Sequence, residues 1–358
     1  MSKIIILSMI LNVVYPGFTG ASSVIKGELP SISEEIHPKE STEDNVKKET
    51  RNNLTNKLSQ SIDEVKRSCM GIKKDYDLVF GLNTGTAVVS SVGALSGAGA
   101  LTAGIMKAKK DKSIEGLKGR FGECGDMSSL EGKSIDESIE DIKKSMACMK
   151  KKQDYIKELE EETKKSKMLG HVRTGLLAGA TATSLTSTGL SIGSVVNIKK
   201  MAEKMSNCNK AIYNLNVVKN EVKAEIEGDD ETKPELKVVT ETINRSEKIL
   251  SSCNKFDENI VKKLYNQSVG SAAVSGVGTV AGLGGTITSA VANSKKIRDN
   301  DTEKGKKTEK GLNLVANIYA GVVTGTSGVT AVISGVTAAM AKKESKKAGD
   351  CENTLGGI

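Results

Sequence analysis

The sequence predicts an all-α protein in which long amphipathic helices lead into four apolar helices rich in Gly, Ala, Ser and Thr. These form two antiparallel hairpin modules tied by disulfides. Three observations lead there. Residues 78–106 carry no charge, three similar stretches follow at 168–198, 264–294 and 312–341, and each ends near a lysine pair: Lys109-Lys110, Lys199-Lys200, Lys295-Lys296 and Lys342-Lys343. The polar stretches between them place apolar residues at spacings of three and four, the period of a helix with one buried face. Finally, the six cysteines are even in number, and Cys69, Cys148, Cys208 and Cys253 lie in or beside those apolar seams.

In chain order, Lys3, the apolar run 4–14, Pro16-Gly17 and Thr19-Gly20-Ala21 read as an export signal over residues 1–21. That apolar run is much shorter than the ~20 residues that cross a bilayer, so it is a leader and not an anchor. Residues 22–50 are polar, contain Pro30 and Pro38, and are expected to be a flexible leader. The first module covers residues 51–227. Leu54, Leu58, Ile62, Val65, Cys69, Ile72, Tyr76 and Val79 open it as one helical seam that runs into the first apolar segment. Ile135, Ile139, Ile142, Met146, Met149, Ile156 and Leu159 trace a long charged helix into the second. Met201, Met205, Cys208, Ile212, Leu215, Val218, Val222 and Ile226 continue beyond it, and coiled-coil pairing of such seams is expected. A turn at 228–234 leads to the second module, 235–358, whose seam Leu236, Val239, Ile243, Leu250, Cys253, Ile260 and Leu264 enters the third segment. A basic link, 295–310, joins the third segment to the fourth.

The chain repeats internally. Shifted by 143 residues, the second segment lies on the fourth without a gap: Leu169 on Leu312, Thr181 on Thr324, Ser191 on Ser334 and Cys208 on Cys351. Ser68-Cys69 and Ser252-Cys253 open the two halves alike.

Val and Thr in the apolar segments favour strands, but spacings of seven separate the cases. Gly321, Gly328 and Gly335 would alternate faces on a strand, whereas on a helix they share a side. Glycine costs an isolated helix ~1 kcal/mol relative to Ala, so these helices need close neighbours. The expected packing positions form a glycine zipper: Gly81, Gly85, Gly93, Gly97 and Gly104 in the first segment, Gly175 and Gly179 in the second. Gly270, Gly278 and Gly282 follow in the third, and Gly321, Gly328 and Gly335 in the fourth.

Export makes disulfides the expected state of Cys69, Cys124, Cys148, Cys208, Cys253 and Cys351. In antiparallel hairpins, bridged cysteines sit level. Cys69 lies nine residues before 78 and Cys208 ten after 198, while Cys253 lies eleven before 264 and Cys351 ten after 341. The expected pairs are therefore Cys69 with Cys208, Cys253 with Cys351, and Cys124 with Cys148. The rival pairing joins Cys208 to Cys253 and Cys69 to Cys351. No CxxC occurs and the only histidines are His37 and His171, so no metal site is expected.

The charge pattern excludes some classes. Fifty-two basic against 44 acidic residues give a net +8, but the signs are interleaved, aromatics make up 3% and Trp is absent, so a nucleic-acid partner is not expected. The stretch 125–134 ends in Gly-Lys-Ser without the first glycine spacing of a phosphate loop, and Gly276, Gly278 and Gly282 miss the dinucleotide spacing by one residue. The carboxylates of 158–162 sit on an alternating charged helix. No enzyme, cofactor or small-molecule substrate is expected. The expected partner is a lipid membrane, anionic if the lysine pairs read headgroups, with room for a homo-oligomer. The functional expectation is an exported membrane protein with a structural, remodelling or pore-like role. The alternative is a soluble secreted bundle that binds a protein partner.

Overall fold

A computed structural model describes residues 40–120, 135–227, 234–253, 256–298 and 302–357. Every element among them is a helix: α1 Glu40–Cys69, α2 Ile72–Arg120, α3 Ile135–Ile226, α4 Pro234–Cys253, α5 Glu258–Ala292, the short α6 Lys295–Arg298, and α7 Glu303–Gly356. The all-α expectation holds. The expected export signal lies outside the described residues, as does most of the turn at 228–234. Two boundaries differ from expectation: α1 starts at Glu40, inside the expected leader, and the expected link 295–310 is largely helical in α6 and the first turns of α7.

Local chemistry accounts for the ends. Between α1 and α2 the chain turns at Gly71, whose φ of 89° is a conformation a side chain would resist. Glu352 caps the new helix there, its Oε1 accepting from the Gly71 N–H at 3.0 Å and the Lys73 N–H at 2.8 Å. α4 opens on a proline, which needs no N–H in the first turn. α7 opens on Thr302, whose Oγ1 accepts from the Gly305 N–H at 3.1 Å.

Burial along the helices alternates in steps of three and four. On α2 the buried positions include Tyr76, Val79, Asn83, Thr86, Ser90, Gly93, Gly97, Ala100, Gly104 and Lys107, and the same rhythm runs through α3, α5 and α7. Steps of three and four average 3.5 residues, which keeps one stripe facing its neighbours along the whole helix. Steps of four alone drift round the helix, which is why only part of the expected glycine ladder is inside.

The chain folds into two compact units, and each draws on both halves of the sequence. The first takes its described residues from 40–73, 202–258 and 344–357. Its interior is ordinary: Leu58, Val65, Met205, Leu215, Ile249 and Leu355 are almost fully buried. Cys69 is bonded to Cys208 with Cα atoms 4.8 Å apart, and Cys253 to Cys351 at 4.7 Å. These are two of the three pairs that level heights predict. The third involves Cys124, outside the described residues. Salt bridges such as Lys57 to Glu221 at 3.2 Å lie on the surface, where they add little.

The second unit takes its described residues from 74–201 and 259–343, and so holds all four apolar segments. α2 and α5 each touch both α3 and α7, and every such contact runs antiparallel, with numbers rising on one helix as they fall on the other.

Candidate functional site: a polar interior between four helices

The second unit is inverted relative to a water-soluble core. Its buried residues are mostly small or polar, whereas its large aliphatic side chains face outward, with Leu95 75% exposed, Val280 71% and Val332 68%. Three helical stretches are long and apolar enough to cross a membrane: Glu49–Gly119, Leu236–Ala292 and Glu303–Gly356. Only 33% of the most apolar window of each is buried, so the apolar surface of these helices lies mainly on the outside. The fourth expected segment, 168–198 on α3, does not reach that apolarity.

Inside, hydroxyls meet directly in layers. Ser90 and Ser187 are 2.6 Å apart, Ser187 and Ser275 3.3 Å, and Ser275 donates to Thr330 at 3.2 Å, so one layer joins all four helices. The neighbouring layer links Ser191 to Ser271 at 3.0 Å and Ser271 to Ser334 at 2.8 Å. Beyond it the Asn83 amide donates to Ser194 at 2.7 Å, and Ser194 lies 3.1 Å from Ser268. Close approach is made possible by glycine at a few positions. A methyl group on Gly97 would lie 2.6 Å from Thr324 Oγ1 and 3.1 Å from its backbone nitrogen. One on Gly282 would lie 2.5 Å from Thr181 Oγ1 and 3.1 Å from its Cα.

In the other direction the hydroxyl layers end at an apolar plug. Ala100, Leu177 and Ala320 pack together there, with Ala180, Ala281 and Val323 beside them. Past the plug comes a charged cluster. Arg173 is fully buried; its Nε donates to Ser289 at 3.0 Å, and its terminal nitrogens donate to Asn313 at 2.6 Å and Asn317 at 3.4 Å. Lys107, 3% exposed, donates to Asp111 at 2.7 Å and Glu309 at 3.0 Å, and Ser166 donates to Asp111 at 2.5 Å. Two buried cations and two partly exposed carboxylates thus meet at one end of the bundle.

The expected packing glycines divide. Gly93, Gly97, Gly104, Gly278 and Gly282 stand against side chains of neighbouring helices, and Gly85 just reaches Leu190 at 3.4 Å. Gly81, Gly175, Gly179, Gly270, Gly321, Gly328 and Gly335 do not pack: nothing lies within 4 Å of where their Cβ would be. They fall off the stripe that alternates three and four. Sequence reasoning missed Gly170, which abuts Asn293, and Gly284 and Gly285, which abut Tyr319 at 2.9 Å each. It also missed Arg173, although an arginine inside a segment of otherwise small and apolar residues is itself a signal.

The two halves of the interior match. An offset of 185 carries Gly93 to Gly278 and Gly97 to Gly282, and the offset of 143 carries Thr181 to Thr324 and Thr183 to Thr326. Under this pair of shifts Gly93 against Thr183 becomes Gly278 against Thr326, both at 2.7 Å, and Gly97 against Thr324 becomes Gly282 against Thr181. Ser90 with Ser187 becomes Ser275 with Thr330. The correspondence breaks at the charged end, where Arg173 maps to Ala316 and Lys107 to Ala292.

Among the described residues no three His, Cys, Asp or Glu side chains gather as a metal site would require. Shallow depressions on charged helix surfaces, one lined by Glu303, Lys304, Lys307 and Thr308, present no nucleophile with a base. The arrangement can hold four helices together without a large apolar core and present an apolar exterior. Comparisons with protein-family models, characterised proteins and solved structures find no match.

Proposed function

We propose that this is an exported protein whose four apolar segments, all in the second unit, are embedded in a lipid bilayer, where they serve a structural, membrane-remodelling or pore-like role. One observation carries the reading: the apolar segments of the second unit bury mainly serine, threonine, glycine and alanine and turn most of their valines, leucines and isoleucines outward. In water that arrangement would expose apolar surface and gain little from burial. In lipid most of the buried hydroxyls are satisfied internally, Ser184 excepted, and the aliphatic side chains are left to the acyl chains. From Leu314 to Val336 the outward aliphatic band of α7 extends roughly 33 Å at ~1.5 Å per residue, against a hydrocarbon thickness of about 30 Å. Exposed lysines beyond the segments, such as Lys109, Lys199, Lys296 and Lys343, support contact with anionic headgroups, at ~1 kcal/mol each.

The export part of the reading rests on the first 21 residues alone. The pore-like version has a specific requirement. Within one chain the hydroxyls touch one another and Leu177 fills the interior, so conduction needs the hairpins to separate or several copies to assemble. Four buried 3.5-residue stripes also support left-handed coiled-coil packing of the helices.

A second reading, a soluble secreted bundle that binds a protein, is favoured by the first unit, whose apolar interior and charged surface suit water. Alkaline carbonate extraction and flotation of the mature protein with liposomes decide between the two. Retention in the membrane pellet and flotation are expected; full release into the supernatant would replace the membrane reading with the second one.

A further inference from the structure

The two halves of the second unit are close to interchangeable, and that raises a problem of partner choice. The first hairpin, from α2 and α3, packs against the second, from α5 and α7, through contacts that recur under the internal repeat. Gly93 and Gly278, Gly97 and Gly282, Thr181 and Thr324, Ser90 and Ser275 all occupy matching places. A first hairpin could therefore take the first hairpin of a second copy and keep all of these contacts. The disulfides do not prevent it, since Cys69–Cys208 lies within the first half and Cys253–Cys351 within the second.

We infer that the cluster of Lys107, Asp111, Arg173 and Glu309 is a pairing address that makes the first hairpin take the second hairpin of its own chain. In the observed pairing Arg173 has three neutral acceptors on the second hairpin, Ser289, Asn313 and Asn317, and Lys107 has Glu309 in addition to Asp111. In a first-with-first pairing the repeat replaces Ser289 by Gly104, Asn313 by Gly170, Asn317 by Thr174 and Glu309 by Ser166. Arg173 then keeps one hydroxyl, and Lys107 loses a carboxylate. In a second-with-second pairing Ala292 stands in the place of Lys107 and Lys296 in that of Asp111, so Glu309 loses the buried ammonium it accepts from. The first-with-first pairing leaves the fully buried Arg173 short of acceptors, and the second-with-second pairing takes from Glu309 its buried cation; a buried charge left unsatisfied is far more costly than a missing neutral contact. Polar groups buried in otherwise apolar or uniform helix interfaces are best attested in this role of selecting register and partner. The alanines at 292 and 316 show that the same bundle positions are filled without charge in the other half.

The test uses the full chain, co-expressed as two differently tagged copies and purified in mild detergent. The variant Lys107→Met, Asp111→Asn, Arg173→Met, Glu309→Gln removes the address while keeping net charge and approximate volume. Ser90→Ala with Ser275→Ala serves as control, because it weakens matching and non-matching pairings equally. Co-purification of the two tags is expected to rise at least about tenfold over wild type in the address variant, the shift for one lost charge-assisted hydrogen bond, with no rise in the control. If the address variant gives no cooperative melt, Arg173→Gln alone is read instead, with at least about a threefold rise expected from its weaker neutral hydrogen bonds. Co-purification equal to wild type overturns the inference. So does an equal rise in variant and control, since lost stability alone would then explain it.

Discussion

The two compact units of this chain use the same helical rhythm with opposite chemistry. In the first, positions on the buried stripe are Leu58, Val65, Met205 and Leu215, and the surface is charged. In the second, along the apolar segments, the equivalent stripe positions are Asn83, Ser90, Ser187 and Ser191, and the surface is aliphatic. Periodicity alone thus says which residues face inward, while the identity of those residues says which solvent lies outside. The first unit gains its stability from apolar burial and covalent ties. The second has little apolar area to bury and depends on close approach and satisfied hydroxyls.

The largest expected effect tests that division. Reducing both bridges should destabilise the first unit by about 4 kcal/mol or more, at ~2 to 4 kcal/mol per bridge, with little effect on the second. Hydrogen exchange resolved by segment reads this, and equal loosening around Ser90 and Ser187 would erase the contrast. Next comes Gly97→Leu, which drives a branched side chain into the backbone of Thr324 and should cost about 3 kcal/mol or more. Gly321→Leu, on a position with nothing within 4 Å, should leave the thermal melt nearly unchanged. Similar losses in both would remove the distinction between inward and outward glycines.

Leu95→Lys sharpens the comparison of solvents. At 75% exposure this position tolerates lysine in water, but in a bilayer interior a lysine costs about 2.5 to 3.5 kcal/mol. A clear fall in the carbonate-resistant fraction is expected, and an unchanged fraction would place that face in water. The smallest effect expected of an inward-facing position is that of Ser187→Ala. It removes hydrogen bonds that average only ~0.6 kcal/mol between membrane helices, so a drop in melting temperature of a few degrees at most is expected. A loss as large as that of Gly97→Leu would show that hydroxyls, and not close approach, dominate the interior.

Much of the fold was legible in advance for a physical reason. Spacings of three and four define a helix face, and length sets the height of each cysteine, so Cys69 with Cys208 and Cys253 with Cys351 followed from counting residues along antiparallel helices. The internal repeat was visible for α3 and α7, where the shift is constant. It was hidden for α2 and α5, because the offset is 184 at the cysteine that ends α4 and 185 at the bundle positions of α5. The candidate site was less legible. A ladder of glycines at steps of four looks like one stripe on paper, but at 3.6 residues per turn it drifts, and only Gly93, Gly97 and Gly104 return to the face that α2 buries.

What the amino-acid sequence determined by itself is the class of fold, the four segments and the level of the cysteines, because these depend on local periodicity and chain length. Tertiary structure decided which of several small-residue faces points inward, and that is a property of pairs of helices. Gly321, Gly328 and Gly335 share a side of α7, yet the side that meets α2 and α5 carries Ser327, Thr330 and Ser334. Only the packed bundle brings Arg173 to Asn313 and Lys107 to Glu309, residues too far apart in the chain for any local rule to join, and so only the packed bundle breaks the symmetry of its two halves.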